Sequence, residues 1–244
     1  MENTNKDHLF AKQLDWVENF KFDESVANVF QDMITRSVPG YRTTLAMIGV
    51  ISSRFVTAGS RVYDLGCSLG AGTAIAANAA KVNDYEVVAV DTSESMITKC
   101  RATLKKQKLK AMISYRQEDI RTTELSNASV VILNFTLQFL PREDRAKLIK
   151  RIHAALNSGG VLVLSEKIHF EDSAREDLLY KLHHEFKRAN GYSDLEISQK
   201  RTALEDTLIT ETLSNHQSRI KAAGFSSSHL WFQCFNFCSL IAAK

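Results

Sequence analysis

The segment YDLGCSLGAGT, Tyr63 to Thr73, places glycines at 66, 70 and 72 behind an aspartate at 64. Glycines at such points let a backbone take positive φ and approach a ligand closely. The dinucleotide spacing G-x-G-x-x-G/A is met only in part, with Gly66 and Ala71 at its ends and Ser68 in its middle. Asp64 is a poor neighbour for a pyrophosphate and a good one for a cation. Asp91 follows Gly66 by 25 residues, close to the spacing of roughly 20 at which an acid grips ribose hydroxyls. Its carboxylate can accept both hydrogen bonds of a vicinal diol. Thr92 and Ser93, just behind it, read equally as the N-cap of a following helix. Asn134 closes the apolar run VVILN, where the strand-end rule for open α/β sheets puts ligand contacts, or else it is a plain turn residue.

These residues end short runs rich in Val, Ile and Leu: RVYDLG (61–66), YEVVAVD (85–91), ASVVILN (128–134) and GVLVLSEK (160–167). A weaker run, AMISYRQ (111–117), precedes Asp119. Helical periodicity separates them over Ala71–Lys81, Ser93–Lys106 and Arg142–Leu156. The alternation predicts a parallel sheet covered on both faces. Upstream, Val26, Val29, Phe30, Met33 and Ile34 share one face of a predicted helix, which Pro39 and Gly40 break before a second from Arg42 to Phe55. Downstream, helical stretches cover Ser173–Arg188 and Thr210–Ala223, with Gly224 suited to a C-cap. HLWFQCF (229–235) and CSLIAAK (238–244) are so close in sequence that they must pair antiparallel. The expectation is one domain over 23–244, with 168–222 a helical insertion capping the site and 1–22 a variable, mobile segment.

A doubly wound sheet ending in an antiparallel hairpin resembles the Rossmann-like, seven-stranded class I fold of S-adenosylmethionine-dependent methyltransferases. The turn D-x-G-x-S-x-G-x-G from Asp64 then fits the amino-acid portion and ribose of S-adenosyl-L-methionine better than NAD. On the same resemblance Asp119, in QEDIR, meets the adenine amine and Ile120 lies against the ring.

Composition excludes several other classes. With 44% hydrophobic and 24% charged residues and a net charge of +3 from 31 basic and 28 acidic groups, the chain reads as a soluble domain without the basic stripe of a nucleic-acid binder. No apolar run approaches the roughly 18 residues that span a bilayer, and the polar start lacks a signal-peptide core, so a cytoplasmic protein is expected. Cys67, Cys100, Cys234 and Cys238 have neither zinc nor disulfide spacing. His183 and His184 are adjacent, point to different helix faces and cannot chelate as an i, i+4 pair would. No metal is expected.

Longer segments carry a closer resemblance. VFQDMITRSVPGY (29–41), VYDLGCSLGA (62–71), VVILNFTLQFLP (130–141), VLVLSEK (161–167), HHEFKRANGYSDLEISQKR (183–201) and LWFQCFNF (230–237) are similar to the carboxy-S-adenosyl-L-methionine synthases of bacterial tRNA modification. Three of these segments lie outside the nucleotide core. The resemblance implies a carboxyl transferase that turns S-adenosyl-L-methionine and prephenate into carboxy-S-adenosyl-L-methionine, phenylpyruvate and water. It implies a homodimer whose product feeds a tRNA uridine carboxymethyltransferase making 5-carboxymethoxyuridine at the wobble position. It places ligand contacts on Tyr41, Gly66, Cys67, Ser68, Asp91, Thr92, Asp119, Ile120, Asn134 and Arg201, with Tyr41 and Arg201 nearest the reaction. Gly72 reads as local variation with little bearing on mechanism. A guanidinium can hold the product carboxylate through two parallel bonds. Beside bare S-adenosylmethionine, by contrast, it is unfavourable by about 3 kcal/mol at ~6 Å and an effective dielectric of ~20. Read from the residues alone, Arg201 is equally a solvated helix charge facing Glu205 at i+4. A conventional methyltransferase acting on a small carboxylate, or a non-catalytic cofactor-binding subunit, is the competing reading.

Overall fold

In the computed structural model, residues 6–244 are described. Seven strands form one sheet: β1 (Ser60–Leu65), β2 (Tyr85–Asp91), β3 (Met112–Gln117), β4 (Ala128–Asn134), β5 (Leu156–Lys167), β6 (Ser227–Cys234) and β7 (Phe237–Ala243). Their order is β3-β2-β1-β4-β5-β7-β6. The first five run parallel, and β7 lies antiparallel between β5 and β6. The late hairpin and the parallel body are as expected for the class I fold.

The Val/Ile/Leu-rich strands are buried on both faces because their side chains alternate. Val62, Val130, Ile132 and Val163 pack with Ile48, Ala76 and Ala77 of α2 (Tyr41–Phe55) and α3 (Ala71–Ala79). Tyr63, Leu65, Val131 and Leu133 pack on the opposite face with Leu148 and Ile152 of α5 (Arg142–Ala155) and Ile220 of α8 (Leu213–Ala222). Each such side chain contributes about 1.5–3 kcal/mol of burial, which makes the ends of β1 and β4 a rigid platform. Strand order reverses at β1, so the crevice falls at the carboxyl ends of β1, β2 and β4. Asp64, Asp91 and Asn134 stand there.

Three more helices wall the crevice. α1 (Glu24–Ser37) starts at Asp23, whose carboxylate caps Val26 N at 3.0 Å. α6 (Ser173–Ala189) and α7 (Asp194–Leu204) belong to the segment read as a cap. A reciprocal capping box between Ser193 and Glu196 starts α7, a helix that periodicity alone did not single out. Glu196, Gln199 and Lys200 face inward on it, so its buried face is largely polar. α8, at the end of the same segment, instead packs on α5 and β6 as a sheet helix.

The amino-terminal segment, expected to be mobile up to residue 22, is tied down over the part that is described; residues 1–5 lie outside it. Asp7 is 1% exposed and accepts from Tyr192 Oη at 2.5 Å. The Gln199 amide donates to the carbonyls of Phe10 and Lys12 and accepts from Leu14 N. Phe20 N donates to the Ala203 carbonyl at 2.8 Å. The stretch is held because α7, together with Tyr192 just before it and Asp32 and Arg36 of α1, supplies its hydrogen bonds.

Candidate active site

A cavity of about 560 Å³ opens at the strand ends, under α6, α7 and the amino-terminal strap. It brings together nine of the ten residues predicted to contact ligand: Tyr41, Gly66, Cys67, Ser68, Asp91, Thr92, Asp119, Ile120 and Asn134. Arg201 is not in its wall.

The glycine turn is shaped by contacts as much as by φ. Gly66 has φ +81°, and a Cβ there would meet Thr136 at 2.4 Å. Gly70 has φ +83° and its missing Cβ makes room for Cys100 Sγ. Gly72, set aside in the sequence as local variation, packs against Asp64, whose Oδ2 would lie 2.9 Å from a Cβ. Ser68 holds φ +51° without being glycine. What over-determines that conformation is Asp91: its Oδ2 accepts Ser68 N and its Oδ1 accepts Ser93 N, each at 2.9 Å. Asp91 therefore fixes the turn as well as offering its remaining lone pairs to a diol. Ser93 is the N-cap of α4 (Glu94–Leu104), as one of the two sequence readings had it.

Asp64 is the cation-seeking group at the floor. It accepts from Thr73 Oγ1 at 2.7 Å, and burial raises it to about 6 against that hydrogen bond, with Asp91 adding to the rise. Ligand affinity that depends on its charge must weaken as pH falls through about 6, because protonated Asp64 no longer attracts a sulfonium or an ammonium. We expect S-adenosylmethionine affinity to drop between pH 7 and pH 5. Titration calorimetry in two buffers of different ionisation enthalpy should show proton release on binding near pH 6; pH-independent affinity would remove Asp64 from the site.

The remaining expected contacts divide. Asn134 Oδ1 is buried with no partner, an acceptor left open for a ligand amine. Phe135, at φ +62°, turns the chain sharply behind it. Asp119 faces the cavity but is forked by Arg121, which closes on Oδ2 at 2.6 Å and holds the carboxyl below its usual range. It stays ionised, with lone pairs for an adenine amine. Tyr41, the first residue of α2, is pushed upward by burial and then by Asp64, so its hydroxyl stays a donor. The neighbouring Cys100 thiol and burial hold Cys67 well above the usual thiol range, which favours the neutral thiol.

Arg201 is exposed on α7, and its Nη1 donates to Tyr180 Oη at 2.6 Å rather than pairing with Glu205. Its neighbour Lys200 is the one that turns inward. Lys167, Lys187 and Lys200 line the cavity, as does His183, whose Nε2 donates to the Ser37 carbonyl at 2.8 Å. Burial, then Lys187, keeps His183 neutral. Phe20 and Phe22 of the strap and Phe139 also line it, with Phe22 and Phe139 edge to face at 5.1 Å. Among the described residues no cluster of His, Cys, Asp and Glu could hold a metal ion, and no helix is long and apolar enough to cross a membrane.

With this geometry in place, relatives of the chain are informative. Residues 62–160 match a methyltransferase domain family. Solved structures share the fold: an S-adenosyl-L-methionine-dependent methyltransferase of Methanococcus maripaludis superposes with TM-score 0.61 at 20% identity, over 93% of this chain and 95% of that one. Magnesium protoporphyrin IX methyltransferase of Synechocystis, with S-adenosylhomocysteine bound, gives TM-score 0.60 at 15% identity over 87% of each chain. The deciding likeness is in sequence. The carboxy-S-adenosyl-L-methionine synthase of Actinobacillus pleuropneumoniae is 51% identical over 98% of this chain and 100% of its own. That of an Enterobacter species is 50% identical over 99% and 98%. The chain belongs to the carboxy-S-adenosyl-L-methionine synthase family. It is an enzyme on the S-adenosylmethionine-binding methyltransferase fold. The alignment with the family spans nearly the whole chain, so the same relationship covers the cavity walls that carry Lys187 and Lys200, and Arg201 outside them.

Proposed function

We propose that this chain converts S-adenosyl-L-methionine and prephenate into carboxy-S-adenosyl-L-methionine, phenylpyruvate and water. The observation that carries the reading is the polarity of the cavity: Asp64, Asp91 and Asp119 stand at the strand ends, and Lys167, Lys187 and Lys200 line the same space. A cationic sulfonium and an anionic donor each find opposite charge there. The reaction balances without a protein base. The ring carboxylate of prephenate leaves as carbon dioxide while the ring C–O bond breaks, which aromatises the ring to phenylpyruvate. The departing hydroxide takes a proton from the sulfonium methyl and becomes water. The ylide carbon then attacks carbon dioxide, forming the C–C bond of the product. The chain's own part is to orient both ligands and exclude bulk water, with Tyr41 as a donor to a carboxylate and the Phe20, Phe22 and Phe139 rings as the water barrier. Incubating wild-type protein with both substrates should yield a nucleoside heavier than S-adenosylmethionine by one carboxyl group. Methyl transfer to another acceptor without prephenate would select the conventional methyltransferase instead.

The product is read as the donor for a tRNA uridine carboxymethyltransferase making 5-carboxymethoxyuridine at the wobble position in the cytoplasm. The enzyme is read as a homodimer: Leu178 and Leu182 are 57% and 38% exposed on α6 beside half-buried Leu179 and Phe186, an apolar face that a second copy would cover. Light scattering at micromolar concentration should give twice the chain mass. A monomer would count against it.

A further inference from the structure

Three lysines from three different elements meet in the cavity. Lys167 ends β5, Lys187 lies on α6 and Lys200 on α7. Lys200 is 6% exposed and has partners, Ser37 Oγ at 3.1 Å and Asp7 Oδ2 at 3.5 Å. Lys187 has none among the described residues. The charges acting on it are Lys167, Lys200 and Arg201, all positive. Lys167 feels Glu176, whose Oε2 is taken up by Phe170 N at 2.9 Å, and Arg201. Burial comes first for all three, and it holds Lys187 down to about 7 and Lys200 to about 8.

Largely desolvated ammonium groups with fewer counter-ions than charges are costly, and proteins keep such an arrangement where a ligand supplies the missing charge. S-adenosylmethionine is a net cation, its single carboxylate matched by its own ammonium with the sulfonium besides, so it does not bring the net negative charge that this cluster calls for. We propose that Lys167, Lys187 and Lys200 form the seat of the second substrate, a dicarboxylate whose two carboxylates supply the counter-charge that Lys167 and Lys187 lack. The inference rests on the two-substrate reading above and assigns the residues that choose the donor. A dianion arriving reverses the pressure on Lys187, because opposite charge favours the ammonium that burial and like charge disfavour. The seat also fits the absence of Arg201 from the wall of this cavity: inward-facing Lys200 occupies the adjoining position on α7, one residue and about 100° of helix away. Neutral or cationic acceptors would be rejected by the same three groups.

The test uses Lys187→Met, which keeps the side-chain volume and removes the charge, with Lys187→Arg beside it. Product formation is followed at saturating S-adenosylmethionine with prephenate varied, and S-adenosylmethionine affinity is measured by calorimetry. Losing one partner of a desolvated carboxylate should raise KM for prephenate about thirtyfold or more. S-adenosylmethionine affinity should move less than threefold, and Lys187→Arg should restore most of the loss. Thermal stability should hold or rise, since a half-buried ammonium without a partner is gone. A prephenate KM within threefold of wild type overturns the seat, as does an equal loss of both ligands. If wild type makes no carboxylated product, the two-substrate reading has failed on its own. The seat is then read by titrating prephenate into each protein with S-adenosylmethionine bound. Saturable binding that Lys187→Met abolishes supports it; equal binding, or none to wild type, overturns it.

Discussion

Asp91→Ala should lower S-adenosylmethionine affinity by at least a hundredfold, about 3 kcal/mol. The sequence assigns Asp91 two hydrogen bonds to a ribose, each to an ionised acceptor. The fold adds a second burden, because the same carboxylate accepts Ser68 N and Ser93 N at 2.9 Å. Removing it leaves those donors without their acceptor and releases Ser68 from φ +51°, at about 1–3 kcal/mol for each buried donor left unpaired. The turn that cradles the ligand would then be ordered only on binding, which adds to the loss. Asp91→Asn discriminates between the two contributions. Its amide oxygen can keep one backbone donor, while its NH2 cannot accept from a ribose hydroxyl. Calorimetry should therefore find the asparagine variant weak in binding and intermediate in thermal stability, since one backbone donor is left facing its NH2, and the alanine variant weakest in both. Unchanged affinity in either would remove Asp91 from the ligand.

The strand-end residues were legible in sequence for a physical reason. Strands buried on both faces are continuous apolar runs, and a polar residue at or next to the end of one, such as Asp64, Asp91 or Asn134, stands at the sheet's carboxyl edge. Side-chain spacing then has little freedom left. The cap obeys no such rule. On α7 the inward face mixes Glu196, Gln199 and Lys200 with Ile197 and Ala203, so hydrophobic periodicity gives only a weak phase for telling Lys200 from Arg201. The capping box at Ser193 and Glu196 fixes where the helix starts, and Ile197 and Ala203 are apolar and buried. Counting three from Ile197 and three back from Ala203 reaches Lys200. That signal was present but weaker than the family likeness that drew attention to Arg201. The strap was opaque for a different reason: residues 6–22 hold their place through backbone bonds to Gln199 and Ala203, far away in the chain, and local composition carries no trace of such partners.

Arg201→Ala should cost the carboxylated product far more than it costs S-adenosylmethionine. The substrate carries positive charge at sulfur and gains nothing from a nearby guanidinium, whereas the product carries a carboxylate at the same carbon. Truncating the partner of a partly desolvated carboxylate costs roughly 2–5 kcal/mol. The low end is expected here, about thirtyfold in Kd, because Arg201 stands exposed outside the cavity wall with one hydrogen bond to Tyr180 Oη. To act, it must leave that hydroxyl and swing in, or serve a cavity other than its own in a dimer. Both routes predict the same split between ligands, and a titration across protein concentration separates them: a contact within one chain is indifferent to dilution, and a contact between chains is lost with the dimer. Asp91 and the glycine turn are untouched by the change, so S-adenosylmethionine affinity should stay level or improve slightly. Both affinities are measured on the purified variant beside wild type. If the two ligands weaken equally, Arg201 supports the fold. If neither changes, it is a surface charge, and the lysines within the cavity carry the carboxylate without it.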